Sequence, residues 1–210
     1  MTCAAATLQG FSLSTCDYII MAEEAEKESP VLLSIGHSTR TIEVFTGLIE
    51  THGVTLLVDI RTVPGSRHNP QFNKETLPGR LKAAGIGYEH LAALGGLRHS
   101  RLKDSPNTGW RSPGFRNFAD YMLSPSFEDG IEKLIALARD NRAAIMCAEA
   151  LPWRCHRILV ADALTVRGVR VEHIMGLGSP LKHELTPWAR VDGTTITYPP
   201  PPDENTSPEE

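Results

Sequence analysis

The densest run of reactive side chains in this chain is Met146-Cys147-Ala148-Glu149-Ala150-Leu151-Pro152-Trp153-Arg154-Cys155-His156-Arg157. Cys147 stands near the end of the apolar run AAIMCA and just ahead of a helical pattern expected to span 153–167. A strand end that leads into a helix N-terminus offers free amides and a dipole that favour an anion. The same field moves a thiol toward thiolate, its nucleophilic form. Arg154 and Arg157 fall in the first turn of that expected helix, where a cation opposes the dipole, so they read as anion binders. Glu149 and His156 supply acid–base groups close in sequence to Cys147. The competing reading makes Cys147 a small buried hydrophobe at a strand terminus.

Three further positions end apolar strands. His37 follows Gly36 and is expected to be the exposed imidazole of the set, suited by its near-neutral pKa to proton transfer. Asp59-Ile60-Arg61 closes a second strand; it reads either as an ordinary ion pair or as a base and a guanidinium that orient a ligand. Arg98 follows Gly95-Gly96 and opens a long loop. Among the remaining histidines, His173 in the last predicted strand stands out. A metal reading draws on Cys147, Cys155 and His156 with Glu149 or His37, all ligand types that zinc accepts. The spacing C-x7-C-H matches no common zinc pattern, and on one helix Cys155 and His156 would point about 100° apart. No cofactor is therefore expected, with zinc as the alternative.

The elements that must position these groups are legible from periodicity. VLLSIGH (31–37), TLLVDI (55–60), IGYEHL (86–91), AAIMCA (143–148) and VRVEHIM (169–175) read as strands, most of them apolar throughout. Helical spacing spans 41–52, 115–123, 125–140 and 153–167, with a weaker helix at 73–84 interrupted by Pro78 and Gly79. Alternating strands and helices with apolar strands predict an α/β domain: a parallel or mostly parallel central sheet covered by helices on both faces. Ligands of such sheets bind beyond the carboxyl ends of the strands. His37, Asp59, Arg61, Arg98, Cys147 and Glu149 all fall at that rim.

The chain has 210 residues and a net charge of −4, carried by its ends. Residues 1–30 and 199–210 are each at −4, which leaves 31–198 at +4 with 20 Lys and Arg, 15 of them arginine. Guanidinium grips phosphate or carboxylate by two bonds, so the balance points to an anionic partner. Residues 1–30 are expected to be a disordered acidic extension, 31–190 a single domain, and 191–210 a Pro-rich acidic tail. No basic residue precedes Lys27, and the apolar run at Tyr18–Ala22 is shorter than a secretory core. Met21 offers a second start for translation. No segment reaches the length of a membrane span, and four cysteines at this length do not make a secreted disulfide framework. A cytoplasmic location is expected.

SIGHS (34–38), VDIR (58–61) with Pro64, Ser66 and Pro70-Gln71-Phe72, GIGYEHLAALGG (85–96), GFRNFADYM (114–122), MCAEALPWRCHR (146–157) and VEHI (171–174) together resemble the domain of unknown function (DUF) family 488. The resemblance implies an α/β domain of prokaryotic type. It also implies one rim site built from His37, Asp59, Arg61, Cys147, Glu149, Cys155, His156 and Arg157, and it implies no activity. A strand ending in Asp-x-Arg and a Cys at a later strand end are also similar to rhodanese-like sulfurtransferases and thiol phosphatases. The loop 148–153 departs from their pattern: it lacks Gly, contains Pro152, and carries Glu149, whose charge raises a neighbouring thiol pKa.

Three functions are therefore open. The first is a small enzyme using Cys147, Glu149, His156, His37 and Asp59 in catalysis, with Arg61, Arg98, Arg154 and Arg157 binding an anionic small molecule or nucleotide. The second is a non-catalytic nucleotide- or nucleic-acid-binding module using the basic loop 98–116. The third is a zinc-stabilised structural protein.

Overall fold

The computed structural model describes residues 30–99 and 102–200. The acidic extension up to residue 29 and the last ten residues of the tail lie outside the described residues. Five strands form where the apolar runs predict them: β1 (Val31–Gly36), β2 (Leu56–Asp59), β3 (Gly87–His90), β4 (Ala143–Cys147) and β5 (Arg170–His173). All five are parallel, and a short β6 (Leu181–Lys182) adds antiparallel to β5, giving the order β3-β2-β4-β1-β5-β6. The mostly parallel α/β sheet is thus observed.

Five helices cover it: α1 (Ile42–Thr51), α2 (Leu77–Ala83), α3 (Pro113–Tyr121), α4 (Pro125–Asp140) and α5 (Arg157–Thr165). Caps set two of their starts, with the Thr41 and Ser124 hydroxyls accepting from the Val44 and Phe127 amides. Because successive strand residues face opposite sides, Leu33, Ile35, Leu57 and Met146 pack with Phe45, Leu77 and Leu81 of α1 and α2. Leu32, Val58 and Ile145 pack instead with Phe118, Leu134 and Leu159 of α3, α4 and α5. Both faces of the sheet are buried, which is why its central strands carry no polar alternation. No helix among the described residues is long and apolar enough to cross a membrane.

Two predicted boundaries change. The helix expected at 153–167 is broken: Pro152–Arg154 form one 3₁₀ turn, Cys155 is extended (φ −138°, ψ 148°), and α5 starts only at Arg157. The tail expected from 191 begins inside a hairpin, β7 (Arg190–Asp192) with β8 (Thr195–Thr197). Tyr198 after it is fully buried, donating through its hydroxyl to Asp162 and through its amide to Asn107. Local composition marks this segment as tail; one aromatic anchor and its polar partners make it part of the fold.

The chain leaves β1 toward β2, crossing β4 on the α1 face, and leaves β4 toward β5, crossing β1 on the α5 face. Neighbouring strands whose connections depart in opposite directions open a crevice at their carboxyl ends. Here those strands are β2, whose chain departs toward β3, and β4, whose chain departs toward β5, and the crevice receives Arg61 and Cys147.

Candidate functional site

Gly36 is opposite Cys147 in the register of β1 and β4, and the pairing continues past the strands, with His37 N–H donating to Cys147 O (2.9 Å) and Ser38 N–H to Ala148 O (2.9 Å). Ser38 sits at φ +52°, the one described non-glycine residue with positive φ; such strain concentrates at functional rims. A Cβ on Gly36 would lie 1.8 Å from the Glu149 carbonyl oxygen. Glycine is therefore what lets the loop after β4 fold against β1.

That loop is clamped from within. Arg157, 1% exposed, donates to the carbonyls of Glu149 (2.5 Å) and Ala150 (3.2 Å), to Ser34 Oγ (3.3 Å) and, through Nε, to Cys155 Sγ (3.5 Å). Its predicted role as a ligand binder is corrected: a guanidinium this buried and this fully paired holds the loop. The loop turns the Glu149 and Ala150 carbonyls inward to Arg157, while the Glu149 backbone amide meets the Cys147 sulfur. Glu149 and Arg154, expected beside the thiol, are exposed.

The extended Cys155 swings its sulfur toward Cys147. The Nδ1 of His156 lies 3.8 Å from Cys147 Sγ and 3.6 Å from Cys155 Sγ, and the three ligand atoms are all within 4.8 Å of one another. The expectation that Cys155 and His156 diverge is thus overturned, because it assumed one helix where the chain has a break. His156 Nε2 donates to Ile60 O (3.2 Å) and its ring packs beside Phe118. Gly96 abuts the other side, where a Cβ would come within 2.4 Å of Nδ1.

The thiols form a coupled pair, and their order reverses the sequence reading. Cys155 is held well below the ordinary thiol range, first by a hydrogen bond from the Cys147 thiol and then, against burial, by His156 and Arg157. Cys147 is raised, by giving its proton to that bond and by burial. The helix begins past Cys155, at Arg157, with His156 as its N-cap.

On the other side of the rim, Asp59 is fully buried and accepts from Arg61 Nε (2.9 Å), Arg61 Nη2 (2.6 Å), the Arg61 amide (3.0 Å) and Tyr88 Oη (2.9 Å). Arg61 Nη2 also donates to Phe72 O (2.6 Å), and Nη1 meets His37 Nε2 at 3.3 Å. The phenol of Tyr88 is pushed up by burial and by the Asp59 charge. His37 is 2% exposed, stacks on Phe72 at 4.2 Å, and donates from Nδ1 to Ser38 O (2.7 Å). Burial lowers it to about 4, with the Arg61 charge adding and the Ser38 bond opposing. The exposed acid–base histidine predicted here is instead a buried neutral ring that supports Arg61. Arg98 is also committed, to the carbonyls of Gly95, Ala92 and Ala93 at 2.7–2.8 Å, with its guanidinium 3.9 Å from the centre of the Tyr121 ring.

A cleft of about 370 Å³ joins the two sides, lined by Arg61, Thr62, Val63, Gly96, Leu97, Cys147 and His156. Behind it runs a buried chain that sequence reasoning missed apart from His173. Ser34 Oγ donates to His173 Nδ1 (3.1 Å), His173 Nε2 to His183 Nδ1 (3.2 Å), and His183 Nε2 to Asp162 Oδ1 (2.9 Å). Burial, then the neighbouring His183 and Arg157, lowers His173 to about 4. Asp162 lies mid-helix and His183 on the edge beyond β6, and no local pattern connects them.

No curated protein and no solved structure matches the chain. The family model described as Domain of unknown function DUF488 matches residues 41–164, from the cap of α1 to the last turn of α5. Arg61, Cys147, Cys155 and His156 fall inside the match, and His37 falls just outside it. Matched over more than half its length, the chain belongs to the DUF488 family.

Proposed function

We propose that the chain is a small thiol-dependent enzyme, a transferase or hydrolase, working through the Cys147–Cys155–His156 cluster on a small anionic molecule. One observation carries the reading: two thiols and an imidazole converge at a cleft on the carboxyl rim, at the switch between β2 and β4. Cys147 is the sulfur that lines the cleft. Passing its proton along the existing bond to the Cys155 thiolate uncovers a nucleophilic or ligating sulfur there, without a proton leaving the site. His156 gives its Nε2–H to Ile60 O and turns Nδ1 to both sulfurs, where it can accept a thiol proton. Arg61 lines the same cleft with its guanidinium held in a buried ion pair by Asp59, so it offers a ligand a fixed wall of N–H groups and no free charge.

A small ligand is favoured over nucleic acid by the size of the cleft, about 370 Å³. Arg98 is spent on three carbonyls, and Arg116 donates twice to Trp110 O (3.0 and 3.2 Å). These two guanidiniums are held in place by the fold, whereas Lys103 and Arg111 of the same loop are exposed.

The test is iodoacetamide labelling of the folded, chelator-treated chain, mapped by mass spectrometry across pH. Cys147 should be labelled, with a pH dependence that follows the first deprotonation of the thiol pair, below the ordinary value of about 8.5, and inorganic phosphate should slow the reaction. A Cys147 that labels only after unfolding removes the basis of the proposal.

A further inference from the structure

The cluster has the shape of a metal site with one open position. A tetrahedral zinc, with bonds of about 2.3 Å to sulfur and about 2.0–2.1 Å to nitrogen, sets S···N edges of about 3.6 Å and an S···S edge of about 3.8 Å. The observed S···N separations are 3.6 and 3.8 Å, and all three donor atoms lie within 4.8 Å of one another.

The imidazole is already in the tautomer a metal needs. Its Nε2–H is taken by Ile60 O, so the lone pair on Nδ1 is left on the side of both sulfurs. Ligating histidines characteristically donate their other ring N–H to a carbonyl or carboxylate in this way. Arg157 Nε donates to the Cys155 sulfur, an outer contact that suits a thiolate ligand. Two thiolates and a neutral imidazole also balance a divalent cation in a pocket where an uncompensated charge is costly.

We infer that Cys147, Cys155 and His156 bind one zinc ion per chain, with a fourth coordination position open to the cleft beside Arg61. Three protein ligands with an open fourth position are the pattern of reactive zinc sites, whereas structural sites are closed by four. Cys147 and His156 line the cleft and Cys155 lies behind them, so the open side faces the cleft. The inference rests on the reading that this cluster is the working site, and it narrows the ligand to an anion that can offer an oxygen, nitrogen or sulfur donor to zinc.

The test uses the full chain with Cys3 and Cys16 replaced by serine, stripped with chelator under reductant and titrated with cobalt(II). One equivalent should bind with thiolate-to-cobalt absorption in the near ultraviolet and the intense visible bands of tetrahedral cobalt. Zinc should displace it, and azide should shift the visible bands by entering the open position. Cys147→Ala, Cys155→Ala and His156→Gln should each weaken binding at least about 100-fold, beyond the 10–100-fold typical of losing an outer partner. A weak octahedral spectrum, or affinity unchanged in Cys155→Ala, overturns the inference. The spectrum of the parent chain decides even where a variant fails to fold. If cobalt fails to bind while Cys147 still alkylates, the zinc site falls and the thiol enzyme stands. If cobalt binds through two thiolates but azide has no effect and Cys147 is unreachable in stripped protein, the site is closed, and both the open position and the enzyme reading fall.

Discussion

Two polar clusters share the carboxyl rim of one sheet, and they differ in how completely their atoms are paired. Asp59, Arg61, His37 and Tyr88 are joined by hydrogen bonds mostly of 2.6–3.0 Å, with Asp59 accepting four. Cys147, Cys155 and His156 meet one another and Arg157 through softer contacts of 3.5–3.8 Å at the sulfurs, and two of the three face the cleft. A saturated buried network fixes geometry, because any rearrangement strands a polar group at a cost of about 1–3 kcal/mol. An unsaturated one retains valence for a ligand. Both were candidates for chemistry by residue type alone; pairing separates the cluster that positions from the cluster that acts.

The sharpest way to break this contrast is to unpair the saturated side. Asp59→Ala leaves Arg61 buried without its carboxylate and should cost about 3–5 kcal/mol, read as a lower urea midpoint at constant slope. A loss under 1 kcal/mol would mean that the ion pair is not the anchor. Next is the joint between the clusters. Gly36→Ala places a methyl 1.8 Å from the Glu149 carbonyl and 2.8 Å from Arg157 Nη2, and should cost about 3 kcal/mol as the loop lifts off β1. In whatever protein folds, iodoacetamide labelling of Cys147 should take the pH dependence of an ordinary isolated thiol, since Cys155 and Arg157 move away with the loop.

The pH dependence follows from the two buried histidines. His37 and His173 are lowered to about 4 by burial, against about 6.5 in the unfolded chain. The unfolded chain therefore binds more protons between these values. Stability is fully present above about pH 6.5 and is lost as pH falls toward 4, about 3 kcal/mol for each ring. Urea unfolding at pH 7, 5.5 and 4.5 should show the fall, and His37→Asn should flatten part of it; an unchanged profile would put His37 in solvent contact. The smallest stability effect belongs to the acting side. Cys147→Ala should cost no more than about 1 kcal/mol while abolishing labelling in the cleft. A larger loss would make the thiol a packing group.

Much of the scaffold was legible because burial on both faces leaves unbroken apolar runs, as in VLLSIG and AAIMC, and because capping residues such as Ser124 announce helices locally. The rim was legible for the same reason: residues just after such runs must fall at the carboxyl edge. What each rim residue does was not. His37 follows a glycine and reads as exposed, yet Phe72, distant in sequence, stacks on it. Arg157 and Arg98 read as free cations, and both are consumed by carbonyls that the chain delivers from loops.

By itself, then, the sequence determined the α/β sheet, the family, and the short list of thiols, imidazoles and guanidiniums at one edge, since periodicity and strand ends are local properties. The tertiary structure alone decided that Cys155 leaves the helix to meet Cys147, that Cys155 carries the lower pKa, and that residues 190–198 belong to the fold. Those outcomes depend on contacts across the chain — Arg157 with the loop carbonyls, Gly36 with Glu149, Tyr198 with Asp162 — and no window of neighbouring residues contains both partners of the last two.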